Sequence, residues 1–386
     1  MNSEFIPLGA LYAKHSQSVN PAHHPNEDFE LYSVPAYERK QPDLVRGESI
    51  GSSKIAVRPG DVLLCKIVPH IRRAWVVPSR GARRQIASGE WIVIRDDRFH
   101  PGYLRHVVLG DQFHARFMAT VAGVGGSLLR ARPAQVASIE LNLPDLPEQR
   151  RIAAILDRAE DLRTIRRRAL ALLAELSASN FAAVAAGSAK PSEQVVVGDV
   201  ADIQTGPFGS LLHREDYVLG GIPIVNPTHI VDGQIVPDPT LTVSESKYRE
   251  LSVFGLMAGD VVLGRRGEMG RAAEVRPEDL PLLCGTGSMI LRPRLGRIGG
   301  TLLASTMRSP SVRKALEDAA LGATMLNLNQ RIIGRVRIGL PSVIHQKAFS
   351  DSNELISKQR VSVLLQLALL DELFASLQHR VFRGEL

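Results

Sequence analysis

Residues 59–78 read PGDVLLCKIVPHIRRAWVVP, and residues 258–277 read AGDVVLGRRGEMGRAAEVRP. At an offset of 199, eight of the twenty aligned positions are identical, where average composition gives about one by chance. A second match follows each: Leu143-Pro144 through Gln149 against Leu340-Pro341 through Gln346, at an offset of 197. Behind each match lies a long apolar-periodic segment without proline. The order is therefore globule, helix, globule, helix, and the repeat is far longer than those of solenoids or propellers.

The two globules are mixed in character. From about Phe5 to Leu143, short β-branched runs broken by Gly and Pro (IAVRPGDVLLCKIV, RRAWVVP, EWIVIR, SIELNLP) predict strands, with a helical patch over 103–119. Val195 to Leu340 repeats the pattern with VVVGDVADIQ, GIPIV, GDVVLGR, SMILRP and RVRIGLP, and a helix over 300–318 in the same relative place. The expected class is α+β: two similar globular domains, 1–145 and 195–343, separated by long helices over 146–182 and 344–386. The small, polar stretch 183–194 is expected to be a linker.

Pro147 suits a first helical turn, where its missing N–H costs nothing, and Glu148 suits the positive end of the helix dipole. Beyond them Ile152, Ile155, Ala159, Leu162, Ala169, Leu173 and Leu176 fall three and four apart, with Arg166 in the remaining place, which predicts a coiled-coil seam. The C-terminal segment carries Phe349, Ile356, Val363, Leu370 and Leu377 at intervals of seven, with Leu367, Phe374 and Val381 filling the other seam position. Each seam alone would suit packing on its own globule; two matched ones predict a pair. Reach permits either direction, and antiparallel pairing would relate the halves by an approximate two-fold axis.

At 386 residues the chain has room for two domains with their own cores. Its net charge of +7 and pI of about 9.6 favour a polyanionic partner. Cys65 and Cys284 are too few for a disulfide framework and lack zinc-site spacing, so both are expected reduced and half-buried in a cytoplasmic protein. The N-terminus lacks a signal pattern, and no run of eighteen apolar residues occurs, so membrane insertion is not expected.

Catalytic signatures are scarce: there is no G-x-x-x-x-G-K-S/T loop, no G-x-S-x-G elbow and no H-E-x-x-H pair. Asp238, Glu245 and Lys247 mimic a Mg²⁺-nuclease pattern, but nothing in the first half answers them. What recurs is a basic loop behind the Gly-Asp-Val strand. Lys66 aligns with Arg265 and Arg72 with Arg271; Arg73, Arg83 and Arg84 add charge in the first half and Arg266 in the second. Such groups clamp phosphates or guanine edges. Gly206 to Ser210 (GPFGS) is a Gly-rich turn with one aromatic, and Asn226, His229 and Lys247 are polar candidates on neighbouring loops. No metal site is expected.

Taken together, QTGPFGSLLHREDY, GIPIVNPTHI, GDVVLGRRGEMGRAA and above all LPEQRRIAAILDRAEDLRTIRRRALALL resemble the specificity (S) subunits of type I restriction-modification systems. The C-terminal copy departs from the family pattern, with Ser-Val-Ile-His-Gln before its helix. The resemblance implies a non-catalytic reader of double-stranded DNA, with each globule a target-recognition domain for one half of a split, asymmetric site. It implies that the helices set the gap and dock two copies of a methyltransferase subunit, which brings S-adenosylmethionine and methylates adenine. A translocating endonuclease subunit, where present, would bring ATP and Mg²⁺; the chain itself needs no cofactor. The DNA contacts would be Lys66, Arg72, Arg73, Arg83 and Arg84 in the first half, and Asn226, His229, Lys247, Arg265, Arg266 and Arg271 in the second. The alternatives are a Mg²⁺-dependent nuclease using Asp238, Glu245 and Lys247, and a coiled-coil scaffold that never meets DNA.

Overall fold

The computed structural model describes residues 4–13, 17–79, 81, 83–122, 129–187, 194–208, 211–320 and 327–383. The chain forms two compact units, one of residues 1–168 and 365–386, the other of residues 169–364. Both long helices therefore contribute to each unit.

In unit 1, strands β1 (Val62–Cys65), β2 (Ala74–Val76) and β3 (Trp91–Ile94) form an antiparallel sheet with β1 in the centre. All four β1 residues are buried, which explains an unbroken apolar run in place of alternation. A second sheet runs in the order Ser18–Val19, Lys54–Ala56, Arg84–Ala87, Asp28–Tyr32, Asp43–Arg46. The expected helical patch is two helices, α1 (Pro101–Leu109) and α2 (Asp111–Met118), broken at Gly110. Strand Glu140–Leu143 returns to pair with Glu4–Pro7, and the long helix α3 (Leu146–Gly187) begins.

Unit 2 repeats this plan. Strands β4 (Ala201–Thr205), β5 (Val261–Gly264), β6 (Ala272–Glu274) and β7 (Ser288–Pro293) form a sheet ordered β4-β7-β5-β6. Val261 faces Leu291 and Gly264 faces Ser288, the register in which Val62 faces Ile94 and Cys65 faces Trp91. Helices α4 (Gly300–Arg308) and α5 (Pro310–Ala319) follow, broken at Ser309. Gln194–Val196 pairs with Arg337–Gly339 before the second long helix, α6 (Val343–Arg383).

The identities in the repeat are explained by contacts inside each unit. Asp61 is fully buried; its carboxylate accepts from Arg58 N at 2.9 Å and from Arg95 Nε and Nη2 at 2.7 and 2.5 Å. Asp260 does the same with Met257 N at 2.8 Å and Arg292 Nε and Nη2, both at 2.7 Å. One carboxylate thus closes the turn before the strand and, through a two-pronged charge-assisted bond, ties it to the neighbouring strand. In both turns the preceding glycine has positive φ, +89° at Gly60 and +87° at Gly259, where a side chain would be strained.

The second match has a similar basis. Gln149, fully buried, donates to Arg98 O at 3.0 Å and Pro144 O at 2.8 Å and accepts from His100 N at 2.7 Å. Gln346 donates to Arg297 O at 3.1 Å and Pro341 O at 2.9 Å. Each glutamine latches the first turn of a long helix to the segment leading into α1 or α4.

Ile152, Ala153 and Leu156 of α3 are buried in the same core as Tyr103 and Leu104, so the first turns pack on their own globule. Farther along, the helices meet each other. In unit 1 Arg163 lies 4.4 Å over the Phe374 ring and 2.5 Å from Asp371 Oδ1. In unit 2 Ser177 bonds Asn353 at 3.1 Å, and the Phe181 and Phe349 rings are 6.1 Å apart. Rising numbers on α3 meet falling numbers on α6, so the pairing in unit 2 is antiparallel.

Phe349 and Ile356 are buried, and Val363, Leu370 and Leu377 half-buried. Leu176, expected in the seam, is 53% exposed; the stripe passes through Ser177, which faces α6, and Leu176 is one residue out of phase. Helix α3 also runs on to Gly187 where the sequence reading ended it at 182, because FAAVAAG is rich in alanine, the best helix former, and ends on glycine. The rest of the expected linker, 188–193, lies outside the described residues. So do 384–386, beyond the Arg383 end of α6.

Both cysteines are free and fully buried, not half-buried, and burial pushes both thiols up. An 18-residue window in each long helix reaches a mean hydropathy of 1.2 in α3 and 1.4 in α6, enough by length and composition to cross a membrane.

Candidate nucleic-acid interface

The repeated basic loops leave the ends of β1 and β5. The residue after each strand is held by two backbone bonds. Lys66 N donates to Glu90 O at 3.0 Å, and its carbonyl accepts from Ala131 N at 2.8 Å. Arg265 N donates to Gly287 O at 3.0 Å, and its carbonyl accepts from Leu328 N at 3.0 Å. Ile67 then bridges Arg130 as Arg266 bridges Asn327. The two cradles match bond for bond.

Side chains on the loops differ in how free they are. In unit 1 Lys66 is half-buried and Arg83 exposed, and neither has an ionic partner among the described residues. Arg84 lies 3.7 Å from Glu27 and over the Phe29 ring. Arg72 pairs with Asp111 at 2.6 Å and donates to Leu109 O at 3.1 Å. Arg73 is bound to Glu38 at 2.7 Å with only 10% of its side chain exposed, so its task is to tie the loop to the Val34–Glu38 helix.

In unit 2 Arg266 is exposed. Arg265 is 8% exposed and stands over Phe208, itself 62% exposed, at 5.9 Å. Burial and the neighbouring Arg266 push the Arg265 pKa down. Arg271 makes two bonds to Glu268 and one to Pro227 O; it borders a cavity of about 930 Å³ that Arg276, Arg308, Arg313 and Arg360 also line. Of GPFGS, Gly209 and Ser210 lie outside the described residues.

Three other candidates are held by contacts within unit 2. His229 is buried, its Nδ1 placed 2.7 Å from Ile224 O and 3.3 Å from Asn226 N, and Asn226 caps the same turn. Lys247 reaches Glu250 at 3.0 Å and Asp216 at 3.5 Å, and the Glu250 hydrogen bond, with Asp216 adding to it, raises its pKa.

The nuclease pattern is not assembled: Asp238 accepts from Thr240 N and Oγ1, Glu245 is paired with Arg249, and Lys247 turns to Asp216 and Glu250. His106, Asp157 and Glu160 do place ligand atoms within 4.8 Å of one another. Arg105, though, contacts both carboxylates, already balancing their charge and joining α1 to α3.

Sequence reading missed Glu90, Arg130 and Asn327. They lie outside the identical blocks, and only the backbone pairing brings them to the loops.

No protein-family model matches the chain, and no curated protein is similar enough to count as a relative. Solved structures do match. A chain from work on complex assembly and conformational transition of the type I R-M system is 21% identical with a TM-score of 0.58, covering 100% of this chain and 98% of that one. The type I restriction-modification system S subunit from M. genitalium is 12% identical with a TM-score of 0.64, covering 99% and 96%. At these identities the likeness is one of fold, and it spans both units and both long helices: the chain has the fold of a type I restriction-modification specificity subunit.

Proposed function

We propose that this chain is a DNA specificity subunit: it binds a split, asymmetric duplex site and directs an adenine methyltransferase to it, with no catalysis of its own. The observation that carries the reading is one backbone cradle built twice, bond for bond, with basic but different side chains. Two readers of one design suit two half-sites on duplex DNA, and different side chains make the half-sites different. The shared fold and the net charge of +7 support it.

Lys66, Arg83 and Arg266, which have no ionic partner among the described residues, are with Arg84 and Arg265 the proposed DNA contacts. Arg72 and Arg271 hold their loops in shape through Asp111 and Glu268 and reach phosphate only by exchanging those partners. The exposed apolar residues of the long helices, Ile165, Leu172, Leu176, Leu365, Leu369 and Leu373, are the proposed docking face for two methyltransferase copies, which bring S-adenosylmethionine. In this reading those faces meet protein and not lipid. An endonuclease subunit using ATP and Mg²⁺ would complete a restriction enzyme.

The test is base-modification sequencing of the host genome with and without this gene. Loss of adenine methylation at one split motif with a fixed gap is expected. Unchanged methylation, together with DNA binding that ignores added salt, would refute the reading, because phosphate contacts release counterions.

A further inference from the structure

The cradles repeat in backbone and differ in side chain at three backbone-linked positions. Unit 1 presents Lys66, Glu90 and Arg130; unit 2 presents Arg265, Gly287 and Asn327. Three of these six side chains carry a buried polar atom without a hydrogen-bond partner among the described residues: Glu90 Oε2, Arg265 Nε and Asn327 Oδ1. Ten such atoms occur among the described residues, and three of them fall on these six side chains; native folds leave few, and this share in one repeated feature points to a polar ligand that completes them.

Arg265 is the sharpest case. More than nine-tenths of it is buried, and no carboxylate pairs with it among the described residues. The adjoining segments 209–210 and 321–326 contain no Asp or Glu. Gly287 leaves room for no side chain, since a Cβ there would lie 2.9 Å from Pro227 Cδ; reading in unit 2 falls to Arg265 and Asn327. In unit 1 Glu90 Oε1 is 3.2 Å from Arg130 Nη2 while Oε2 is unbonded.

We infer that these cradle positions are the base-reading positions of the two units, and that Arg265 selects a guanine in the second half-site. The guanidinium fork matches guanine O6 and N7, and Phe208 shields it from bulk water, which strengthens such bonds. Asn327 offers an acceptor and a donor, the set that suits adenine N6 and N7 on a neighbouring pair. Lys66, Glu90 and Arg130 suit a guanine–cytosine pair, with the cation on guanine and the carboxylate accepting from cytosine N4. This inference rests on the DNA-reading function proposed above.

The test uses the full chain with its methyltransferase partner. Methylated motifs are mapped for wild type, Arg265→Lys and Arg265→Gln, and binding is measured on duplexes carrying each base pair in turn at every second half-site position. Wild type is expected to prefer one guanine-containing pair roughly 5- to 150-fold. Arg265→Gln should lose that preference at this one position, Arg265→Lys should weaken it, and both should leave the first half-site unchanged. A folding-independent arm places 7-deazaguanine, which lacks the N7 acceptor, at that position; wild-type binding should fall about tenfold, as for loss of one charged hydrogen bond.

An unchanged motif in both variants would overturn the inference while leaving the DNA-reading function intact. So would a uniform loss of affinity with the salt slope reduced by about one, the mark of a phosphate contact. Indifference of wild type to 7-deazaguanine at every guanine would overturn it even if the variants failed to fold. Absence of any split motif in wild type, with salt-insensitive binding, would instead remove the underlying reading and this inference with it.

Discussion

Replacing Gln149 by alanine should loosen unit 1 far more than replacing Gln346 loosens unit 2. Gln149 is fully buried and makes three hydrogen bonds, to Arg98 O, Pro144 O and His100 N. Truncation at Cβ leaves two carbonyls and one amide without partners and opens a void. At about 1 kcal/mol per lost bond plus a cavity contribution, the cost is about 3–4 kcal/mol. Gln346 is half-buried and makes two such bonds, so about 1–2 kcal/mol is expected. A single melting curve would mix two units that need not unfold together. Native-state hydrogen exchange separates them. In Gln149→Ala the amides of β3 and α1 should lose about two to three orders of magnitude of protection, while those of β7 and α4 stay within a factor of about three. Unchanged protection in unit 1, or an equal loss in both units, would refute the latch.

Asp61→Ala should cost about 3 kcal/mol by removing a two-pronged buried bond and the cap on Arg58 N; Asp260→Ala should match it in unit 2, checked by the same exchange measurement. His106, buried beside Arg105, has its pKa pushed down by burial first and by that cation second. Below the unfolded value of 6.5 the unfolded chain gains the proton first, so unit 1 should lose stability as the pH falls below about 6.5, and His106→Gln should lessen that slope. Arg83→Ala with Arg84→Ala should weaken DNA binding whatever the sequence and lower the slope of log K against log salt by about one to two. Lys247→Ala should leave the methylated motif unchanged, since its ammonium is held by Glu250 and Asp216; a changed motif would return it to the interface.

Much of the fold was legible because the strongest sequence signals were structural. The Gly-Asp-Val identity marks a positive-φ turn and a buried carboxylate, both of which tolerate few substitutes. The shared glutamine marks a helix latch. Heptad spacing located α6 well, since Phe349 and Ile356 are large and buried. It misplaced the α3 seam at Leu176 because small polar residues occupy the inward positions there: Ser177 faces Asn353 across the pair, and no apolar rule finds a serine. The candidate interface was less legible. Arg73, His229 and Lys247 have the right chemistry by residue type, but Glu38, Ile224 and Glu250 already occupy them. Charge in a sequence does not show which charges are paired.

The division between repeated and divergent residues is itself an argument about function. Asp61 and Asp260 make the same bonds in both units, Gly60 and Gly259 the same positive-φ turn, and Gln149 and Gln346 share two bonds to matching carbonyls, so the needs of the fold alone account for their likeness. The cradle positions share their backbone bonds but not their side chains, and they leave Glu90, Arg265 and Asn327 with buried atoms that have no hydrogen-bond partner among the described residues. A merely structural loop would be free to replace those atoms with apolar groups and gain stability. Retaining them in both units, with different chemistry in each, is what a protein requires when one scaffold must recognise two unlike ligands of the same class.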